Sequence, residues 1–551
     1  MHPRPKGAVD LSSDSGPHDG FVPFPPDRSA AYRAAGYWSG RSLGALLREA
    51  AARWPDRPAV VDATGSHTYA ELDALADEAA AGFAALRLGP GDRVLVQLPN
   101  SRRFAVALFG LLRAGAIPVM CLPGHRLAEL THFARISGAV GAVITDITAG
   151  FDYRQLAEQL IAACPGLRHV VVDGDPGPFL PWSVLCGRPG RSAPEPLVDT
   201  ASPALLLVSG GTTGLPKLIP RTHDDYVYNA TASAQLCELT SADTYLAVLP
   251  AAHNFPLACP GILGAITVGA TVVFGDDPSP EAAFAAIERH GVTVTALVPA
   301  LAKLWAQACD WEPVTPKTLR LLQIGGSKLE PEDARQVRQA LCPGLQQVFG
   351  MAEGLLNYTR LDDPPEILEH TQGRPLSPAD EVRIVDAAGA VVPTGGEGEL
   401  LVRGPYTING YFRAERDNAR SFDPEGFYRS GDLVRLRQDG YLVVTGRIKD
   451  VICRCGETIG AQDIEEQLLT HPDVWSVAAV PLPDPDLGER ICAAVVFSNR
   501  PATLAELNSH LDRRGLASHA RLDQLVAFAA LPTTAIGKID KKAIVARLTP
   551  S

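Results

Sequence analysis

The sequence predicts an α/β fold in two unequal parts, a large domain of layered α/β subdomains and a smaller α+β domain. Through most of the chain, short apolar runs typical of strands alternate with amphipathic helical patterns, as in layers with largely parallel sheets. Near Arg447 this alternation gives way to a compact α+β unit of about a hundred residues, a usual size for a domain. The 551 residues are enough for more than one domain and a large core.

The large domain alternates from its first predicted helix, over residues 41–54, onward. A strand over 93–98 precedes a helix over 101–114, in which apolar residues recur at helical spacing and after which Gly115 marks the end. Further strands are predicted at 117–121, 142–145, 170–173, 204–208, 244–249, Thr271–Phe274, 293–298 and 319–324, with helices Pro280–His290 and 331–341 between them.

The smaller unit is assigned residues 449–551, after a core over 26–448 and a disordered tail over 1–25. Its predicted elements are a helix over 463–470, strands over 474–481 and 491–498, and the segments Leu504–Arg513, 524–531 and Lys541–Leu548. The first twenty residues are polar and rich in Pro, Ser and Asp, which is typical of disorder and not of a signal peptide.

Composition and charge narrow the class of protein. Hydrophobic residues make up 46% and charged residues 20%, as in ordinary globular proteins. The net charge of −12 argues against nucleic-acid binding, which needs a basic surface. An anionic substrate must then be met by local lysines, arginines and metal. Ten cysteines without a CxxC pair or zinc-ligand spacing predict reduced thiols and a cytoplasmic location.

One charge-free stretch, residues 254–275, is long enough to raise the question of a membrane span. Pro256, Pro260 and four glycines interrupt it, and no basic flank supports it. We therefore predict a buried helix and strand here, and no membrane association.

A glycine- and hydroxyl-rich loop follows the strand predicted at 204–208. It consists of Ser209, Gly210, Gly211, Thr212, Thr213, Gly214, Leu215, Pro216 and Lys217. The glycines free backbone N–H groups for close approach to a polyphosphate, the hydroxyls add donors, and Lys217 adds a positive charge. Because Lys217 follows a proline and precedes a leucine, this is not a Walker A loop. Taken alone, its composition also fits a flexible surface turn.

Five motifs in order make the chain similar to the adenylate-forming (acyl-adenylate synthetase) superfamily, from Ser42 to the C terminus. They are the loop 209–217, Gly350-Met351-Ala352-Glu353-Gly354, Tyr428-Arg429-Ser430-Gly431-Asp432, Gly446-Arg447-Ile448-Lys449-Asp450 and Gly537-Lys538-Ile539-Asp540. The resemblance implies that the enzyme uses ATP and Mg²⁺. It also implies that the small domain is a mobile lid, which rotates about a hinge near Lys449 between two half-reactions.

The resemblance assigns roles to the charged residues of these motifs. Glu353 would position Mg²⁺, Lys217 would bind phosphate, and Lys538 would bridge the acid's carboxylate and the phosphate during adenylation. Asp432 would bind the ribose diol, and Arg447 the ribose or a phosphate. Each residue also has a plainer interpretation as a loop acid, a turn acid or a surface base.

Uncharged residues complete the contacts that the resemblance implies. The stretch Gly325-Gly326-Ser327-Lys328 follows an apolar strand and would approach the adenine and the acyl group, although it could be a simple β-turn. The nucleotide contacts are assigned to Ser209, Gly210, Gly211, Thr212, Thr213, Gly214, Gly326, Val348, Gly350 and Met351, and acid contacts to Gly325 and Ala352.

The stretch His253-Asn254-Phe255-Pro256-Leu257-Ala258-Cys259-Pro260-Gly261 narrows the family, because it resembles the aryl-acid adenylating enzymes of siderophore assembly. Amino-acid-activating relatives usually place an aspartate here for the substrate's ammonium. Asn254 instead implies an acid without an amine, and its amide can pair with a hydroxyl ortho to the carboxylate. His253 and Phe255 are assigned to the same acid pocket.

Two further positions separate the aryl acids within this resemblance. Ligases for 2,3-dihydroxybenzoate tend to have serine at the position of Cys259 and valine at that of Leu356. A thiol is a weak partner for a second ring hydroxyl, and leucine adds a methylene worth roughly 1–3 kcal/mol of discrimination. Both changes favour salicylate (2-hydroxybenzoate) or a ring-substituted relative. Core packing without a role in specificity is the competing interpretation.

The resemblance implies a stand-alone aryl-acid–AMP ligase that passes its acyl group to the phosphopantetheine thiol of a separate aryl carrier protein. Cys455 departs from the family, which usually has Gly-Gly-Glu in this loop facing the pantetheine arm. Three alternatives remain open. They are a 2,3-dihydroxybenzoate-AMP ligase, an aryl-CoA ligase that uses free coenzyme A, and a non-catalytic nucleotide-binding or scaffold protein.

Overall fold

The computed structural model describes residues 20–188, 190–192, 196–209, 216–313, 315–448, 451–455, 457–532, 539 and 541–549. Its helices are α1 (Pro26–Ala34), α2 (Leu43–Arg53), α3 (Tyr69–Ala85), α4 (Arg102–Ala114), α5 (Leu127–Ser137), α6 (Tyr153–Ala163), α7 (His223–Leu236), α8 (Asn254–Ala258), α9 (Gly261–Thr267), α10 (Pro280–His290), α11 (Pro299–Ala308), α12 (Pro331–Ala340), α13 (Pro365–His370), α14 (Glu415–Ser421), α15 (Ala461–Leu468), α16 (Leu504–Arg513) and α17 (Lys541–Leu548). Short 3₁₀ turns lie at Trp182–Val184 and Ser518–Ala520.

The strands are β1 (Pro58–Asp62), β2 (Gly65–Thr68), β3 (Arg93–Gln97), β4 (Ile117–Met120), β5 (Gly141–Thr145), β6 (Ile147–Thr148), β7 (Phe151–Asp152), β8 (His169–Asp173), β9 (Leu180–Pro181), β10 (Pro203–Val208), β11 (Leu218–Thr222), β12 (Thr244–Ala247), β13 (Thr271–Phe274), β14 (Val294–Leu297), β15 (Leu321–Gly325), β16 (Leu345–Met351), β17 (Gly354–Tyr358), β18 (Arg374–Pro375), β19 (Glu381–Val385), β20 (Glu397–Arg403), β21 (Tyr428–Leu436), β22 (Leu442–Arg447), β23 (Val451–Arg454), β24 (Glu457–Gly460), β25 (Val474–Asp484), β26 (Gly488–Phe497) and β27 (Gln524–Ala527).

Two large sheets organise the first part of the chain. Their strand orders are β18-β17-β16-β15-β14-β12-β13-β1-β2 and β11-β10-β4-β3-β5-β8-β9. Neighbouring strands are parallel in the middle of both sheets. Antiparallel pairs occur toward both ends of the first sheet, as at β16 with β17, and at one end of the second, where β10 pairs with β11. Helix α4 contacts β1 of one sheet and β4 of the other, so this apolar helix is buried between them.

Local signals explain where the helices begin and end. Helix α4 starts after Ser101, whose Oγ accepts the Phe104 N–H at 3.3 Å, and it ends at Gly115 with a φ of 73°. Helix α10 starts with a proline after the capping Ser279 and ends at Gly291. Strand β13 and helices α10 and α16 have the predicted bounds, and the predicted α/β fold class is confirmed.

A four-stranded antiparallel sheet, β19-β20-β21-β22, precedes the smaller unit. That unit has its own sheet, in which β24-β23-β26-β25 is extended by β27 beside β26, with separate apolar clusters formed by residues after 450. The predicted domain boundary at 448/449 stays a prediction, because Lys449 and Asp450 lie outside the described residues.

The start of the described chain differs from the predicted tail. The ring of Phe24 packs edge-to-face against Trp38, at a centroid distance of 4.9 Å, and the Arg413 N–H donates to the Gly20 carbonyl at 2.9 Å. The prediction of disorder is therefore wrong for residues 20–25, because apolar side chains in this segment reach a small aromatic cluster. Residues 1–19 lie outside the described part.

The charge-free run 254–275 forms the buried elements that the sequence predicts. It contains α8, α9 and β13, and most of their residues are fully buried. Among the described residues, no helix combines the length and the apolar character that crossing a membrane requires.

Candidate active site

The predicted phosphate loop leaves the sheet through an antiparallel hairpin of β10 and β11. At its base the Ser209 N–H donates to the Lys217 carbonyl at 2.9 Å, and the Lys217 N–H donates to Ser209 Oγ at 2.8 Å. The two ends of the loop are thereby held together. The predicted contacts Gly210, Gly211, Thr212, Thr213 and Gly214 lie outside the described residues.

Lys217 points back toward a segment that the sequence motifs do not include. Its Nζ lies 3.7 Å from Asp417 Oδ1 and 5.2 Å from the centroid of the Tyr411 ring. Its side chain is only 12% exposed. The ammonium is therefore largely buried, and the face of the Tyr411 ring attracts it electrostatically.

Glu353 is buried at the turn between β16 and β17, and a chain of two tyrosines supports it. Tyr411 OH donates to Glu353 Oε1 at 2.8 Å and lies 3.0 Å from Tyr428 OH. Burial raises the pKa of Glu353, while the Tyr411 hydrogen bond and the charge of Lys217 oppose that rise. Tyr411 therefore brings the predicted residues Lys217 and Glu353 to one place.

Arg221 also supports this turn, and the sequence analysis missed it. Its buried guanidinium donates to Asp225 at 2.8 Å, to the Ala352 carbonyl at 3.0 Å and to the Tyr406 carbonyl at 3.1 Å. Arg221 thus fixes the turn that carries Glu353 through Ala352, the residue before it. Arg221 lies on β11 and Asp225 in the first turn of α7, so the ion pair depends on how the strand leads into the helix and not on helical spacing.

Asn254 begins the short helix α8 and is held through its side chain. Tyr226 OH donates to Asn254 Oδ1 at 2.8 Å, and Asn254 Nδ2 lies 3.5 Å from Cys259 Sγ. His253 caps the helix by accepting the Phe255 N–H on Nδ1 at 3.3 Å. Burial lowers the pKa of His253 to about 4, so the ring is neutral at physiological pH and can accept this bond.

Cys259 lies at the end of α8, almost fully buried. Burial raises the pKa of its thiol to about 12, against the charge of Arg221 and hydrogen bonds with Asn229 and Tyr358. The residue is therefore a neutral thiol, and its contact with Asn254 joins two residues that the sequence assigned to the acid pocket.

Phe255 packs on the backbone of the glycine that ends β15. A Cβ added at Gly325 would lie 3.1 Å from the Phe255 ring and 2.7 Å from the Val348 carbonyl. The absence of a side chain at Gly325 allows this close contact. The next residue, Gly326, has a φ of 91°, which a residue with a side chain rarely adopts.

Leu356 stands across the β16–β17 pair from Gly350. A Cβ at Gly350 would lie 2.3 Å from Leu356 Cδ2, so the leucine side chain occupies the space above this glycine. Tyr358, two residues further on β17, shares the face of Leu356, and that face is the one directed toward Cys259. Met351, the last residue of β16, pairs with Gly354 next to Glu353.

Asp432 and Arg447 are cross-strand neighbours on β21 and β22. The Asp432 N–H donates to Ser430 Oγ at 3.0 Å, and the residue is buried. The strand register thus places the two residues predicted to bind the ribose opposite each other. The side chain of Arg447 lies outside the part of the chain that the structure describes. Lys538 and the predicted hinge residue Lys449 also lie outside the described residues.

The smaller unit touches the large domain near the phosphate loop. The Ala517 N–H donates to Glu129 Oε1 at 2.8 Å, and the rings of His519 and His125 lie 6.5 Å apart. Helix α5, which carries Glu129, also places His132 Nε2 3.0 Å from the Pro216 carbonyl. The small unit thus rests on the helix that borders the loop.

Cys455 occupies a backbone position that favours glycine. Its φ is 51°, its side chain is exposed, and its N–H donates to the Leu487 carbonyl at 2.8 Å. The unusual residue in this loop therefore keeps the left-handed backbone while adding a thiol at the surface.

A large α/β part followed by a smaller C-terminal unit, with Ser209 at the base of a loop and Glu353 buried near Lys217, is the arrangement to be compared with known protein families. An AMP-binding enzyme family model matches residues 47–412, and the model of the AMP-binding enzyme C-terminal domain matches residues 463–538. The chain belongs to the AMP-binding enzyme family.

Individual relatives are more specific than the two family models. The chain is 72% identical over 541 residues to a salicyl-AMP ligase / salicyl-S-ArCP synthetase of Mycobacterium tuberculosis, covering 97% of this chain and 96% of the relative. It is 47% identical to a 2,3-dihydroxybenzoate-AMP ligase of Bacillus subtilis, covering 95% and 97%. The apo structure of Mycobacterium smegmatis MbtA has 68% identity and a TM-score of 0.76, covering 96% of this chain and 99% of that one.

Proposed function

We propose that the protein joins salicylate to AMP and then transfers the salicyl group to the phosphopantetheine thiol of a separate aryl carrier protein. This places it in the assembly of a siderophore or a related nonribosomal peptide. The observation that carries the proposal is the neutral amide of Asn254, which Tyr226 anchors beside Cys259 where a charged aspartate would suit an amino-acid substrate. The 72% identity to a salicyl-AMP ligase over 97% of the chain supports it.

In the first half-reaction, an oxygen of the acid's carboxylate attacks the α-phosphorus of ATP. A bond forms between this oxygen and the phosphorus, the bond from the α-phosphorus to the bridging oxygen breaks, and pyrophosphate leaves. Both reactants are anionic, so the site must neutralise charge and hold them in line. We assign this work to the loop 209–217, with Lys217 as its fixed charge, and to Lys538 on the lid.

The residues near Glu353 suit a magnesium ion held together with phosphates. Among the described residues no group of three or more acids, histidines or cysteines could hold a metal alone. Mg²⁺ in nucleotide sites is commonly bound by one or two carboxylates plus substrate phosphates and water. When bound, the ion would neutralise phosphate charge, and Glu353 would supply the protein ligand, oriented by Tyr411.

Asp432 and Arg447 are assigned to the ribose, and Gly326, Val348, Gly350 and Met351 to the nucleotide. Cross-strand pairing of Asp432 with Arg447 supports a shared ligand. Gly325 and Ala352 are assigned to the acid, with His253, Asn254, Phe255, Cys259 and Leu356. The contact of Phe255 with Gly325 supports one continuous wall for the ring.

In the second half-reaction, the carrier's thiolate attacks the acyl carbon, a thioester forms, and AMP leaves with the bonding electrons of the acyl–oxygen bond. The lid would rotate about Lys449 to bring the loop with Cys455 to the acceptor. A cytoplasmic location agrees with the cysteines, all ten of which are described and free of disulfides.

The test is ATP–pyrophosphate exchange with salicylate, 2,3-dihydroxybenzoate and benzoate, followed by thioester formation on a phosphopantetheinylated aryl carrier protein or on coenzyme A. We expect the fastest exchange with salicylate and transfer to the carrier. Preference for 2,3-dihydroxybenzoate, or transfer to coenzyme A alone, would establish the corresponding alternative. Exchange with none of these acids would refute the proposal.

The Lys538→Ala variant separates the two half-reactions. We expect it to lose adenylation but to retain transfer from pre-made salicyl-AMP, because a lid lysine should act in one lid position only. Lys541, which pairs with Glu465 at 2.8 Å, provides the matched control, and its alanine variant should keep both steps. Equal loss of both steps in Lys538→Ala would contradict the assigned role.

A further inference from the structure

Tyr226 is a buried residue of α7 that contacts Asn254, one of the residues assigned to the acid pocket. Its hydroxyl donates to Asn254 Oδ1 at 2.8 Å. On its other side the guanidinium of Arg221 lies 4.5 Å from the centroid of the Tyr226 ring. Arg221 is itself held by Asp225 and two backbone carbonyls. The tyrosine therefore has a fixed position, and burial raises its pKa far above the usual value, so it remains a donor.

This contact determines which half of the Asn254 amide is available. A primary amide has an acceptor oxygen and a donor nitrogen, and rotation by half a turn exchanges them. The oxygen is engaged by Tyr226, so the nitrogen is on the other side, 3.5 Å from Cys259 Sγ. Sulfur is a weak acceptor, so this N–H group can exchange its contact with Cys259 for a better acceptor on a bound acid at little cost in free energy.

We infer that Tyr226 is a positioning residue that holds the Asn254 amide with its N–H group toward the acid, so that the site selects acids with a hydrogen-bond acceptor ortho to the carboxylate. This inference rests on the proposed function. Salicylate meets the requirement, because its phenolic proton can be donated to its own carboxylate and the phenolic oxygen is then free to accept.

Anthranilate, the 2-amino analogue, tests the direction of this hydrogen bond. Its amino group has two N–H donors, and its lone pair is delocalised into the ring, so it meets the amide nitrogen donor against donor. Two opposed donors leave both groups unpaired in a buried site, which is an effective means of rejection. The two acids have nearly the same size and shape, so their comparison isolates the hydrogen bond.

The experiment measures kcat/KM for salicylate and for anthranilate by ATP–pyrophosphate exchange in wild type and in Tyr226→Phe. Without the phenol, the amide can rotate and present its oxygen to an amine. We expect the salicylate-to-anthranilate ratio to fall about tenfold, which corresponds to roughly 1.4 kcal/mol, a typical value for one hydrogen bond. A merely structural role would lower both activities alike and leave the ratio unchanged.

Tyr245→Phe is the matched control. Tyr245 is equally buried, and in the described part of the chain its hydroxyl has no hydrogen-bond partner. This variant removes the same atom from a similar environment, and it should leave the ratio at the wild-type value. Circular dichroism and thermal melting confirm that both variants are folded before the ratios are compared.

The outcomes separate this inference from the proposed function. Wild type that does not adenylate salicylate contradicts the proposed function. Wild type that adenylates salicylate, with the same ratio in Tyr226→Phe, overturns the inference alone. If Tyr226→Phe does not fold, wild type decides, because use of anthranilate as efficiently as salicylate excludes a fixed donor in the pocket.

Discussion

Replacement of Cys259 by serine together with Leu356 by valine should shift acid preference toward 2,3-dihydroxybenzoate. Cys259 is a buried neutral thiol near Tyr358, and Leu356 shares the face of Tyr358 on β17. In the proposed acid pocket, the two side chains would therefore approach the same side of the ring, Cys259 from the end of α8 and Leu356 from β17. A second ring hydroxyl beside them would meet a weak hydrogen-bond partner, the thiol, and the extra methylene of the leucine.

The structure sets the size of the effect. A buried hydroxyl without a partner costs about 1–3 kcal/mol, and serine supplies a good donor and acceptor where sulfur is a weak one. The leucine side chain fills the space over Gly350, and valine removes one methylene, worth about 0.8 kcal/mol of burial. We expect the ratio of kcat/KM for 2,3-dihydroxybenzoate to that for salicylate to rise about tenfold or more.

Pyrophosphate exchange with both acids, in wild type, both single variants and the double variant, measures this ratio. Because both residues could contact one ring edge, their effects need not add, and the four proteins form a double-mutant cycle. Thermal melting should show that Leu356→Val lowers the free energy of unfolding by about 1 kcal/mol, because the shorter side chain leaves a cavity. An unchanged ratio in the double variant, or wild type that already prefers 2,3-dihydroxybenzoate, would make these residues core packing only.

Two further variants test the buried carboxyls. Tyr411→Phe keeps the ring beside Lys217 but removes the hydrogen bond to Glu353, so the pKa of Glu353 should rise further. We expect about a tenfold loss of exchange activity at pH 6.5 and a smaller loss at pH 8.5. An equal loss at both pH values would contradict this expectation. Burial raises the pKa of Asp380 to about 7, so the folded state favours the neutral acid, and stability is lost as the pH rises from about 4 to about 7. Between pH 5 and pH 8 the Asp380→Asn variant should therefore lose about 2–3 kcal/mol less than wild type in chemical unfolding, and parallel pH profiles would refute the assignment.

Much of the fold could be read from local patterns, because the signals that begin and end helices lie within a few residues. Helix α10 has its serine cap, its first-turn proline and its final glycine within one short segment. Residues that favour turns likewise flank strand β13. The residues 20–25 were misjudged, because Phe24 is ordered only by aromatic rings that come later in the chain.

The sequence by itself determined the class of fold, and it marked the loop 209–217 and the residues Glu353, Asn254 and Asp432 as candidates for the site, since each stands in a recognisable short motif. Tertiary structure alone decided what supports them. Tyr411 reaches Glu353 across 58 residues, and Arg221 reaches the Ala352 carbonyl across 131. Even Tyr226, 28 residues from Asn254, has no signature beyond an ordinary helical tyrosine. Such partners are chosen by how helices and strands pack, and the free energy of these contacts depends on burial that no local pattern of residues specifies.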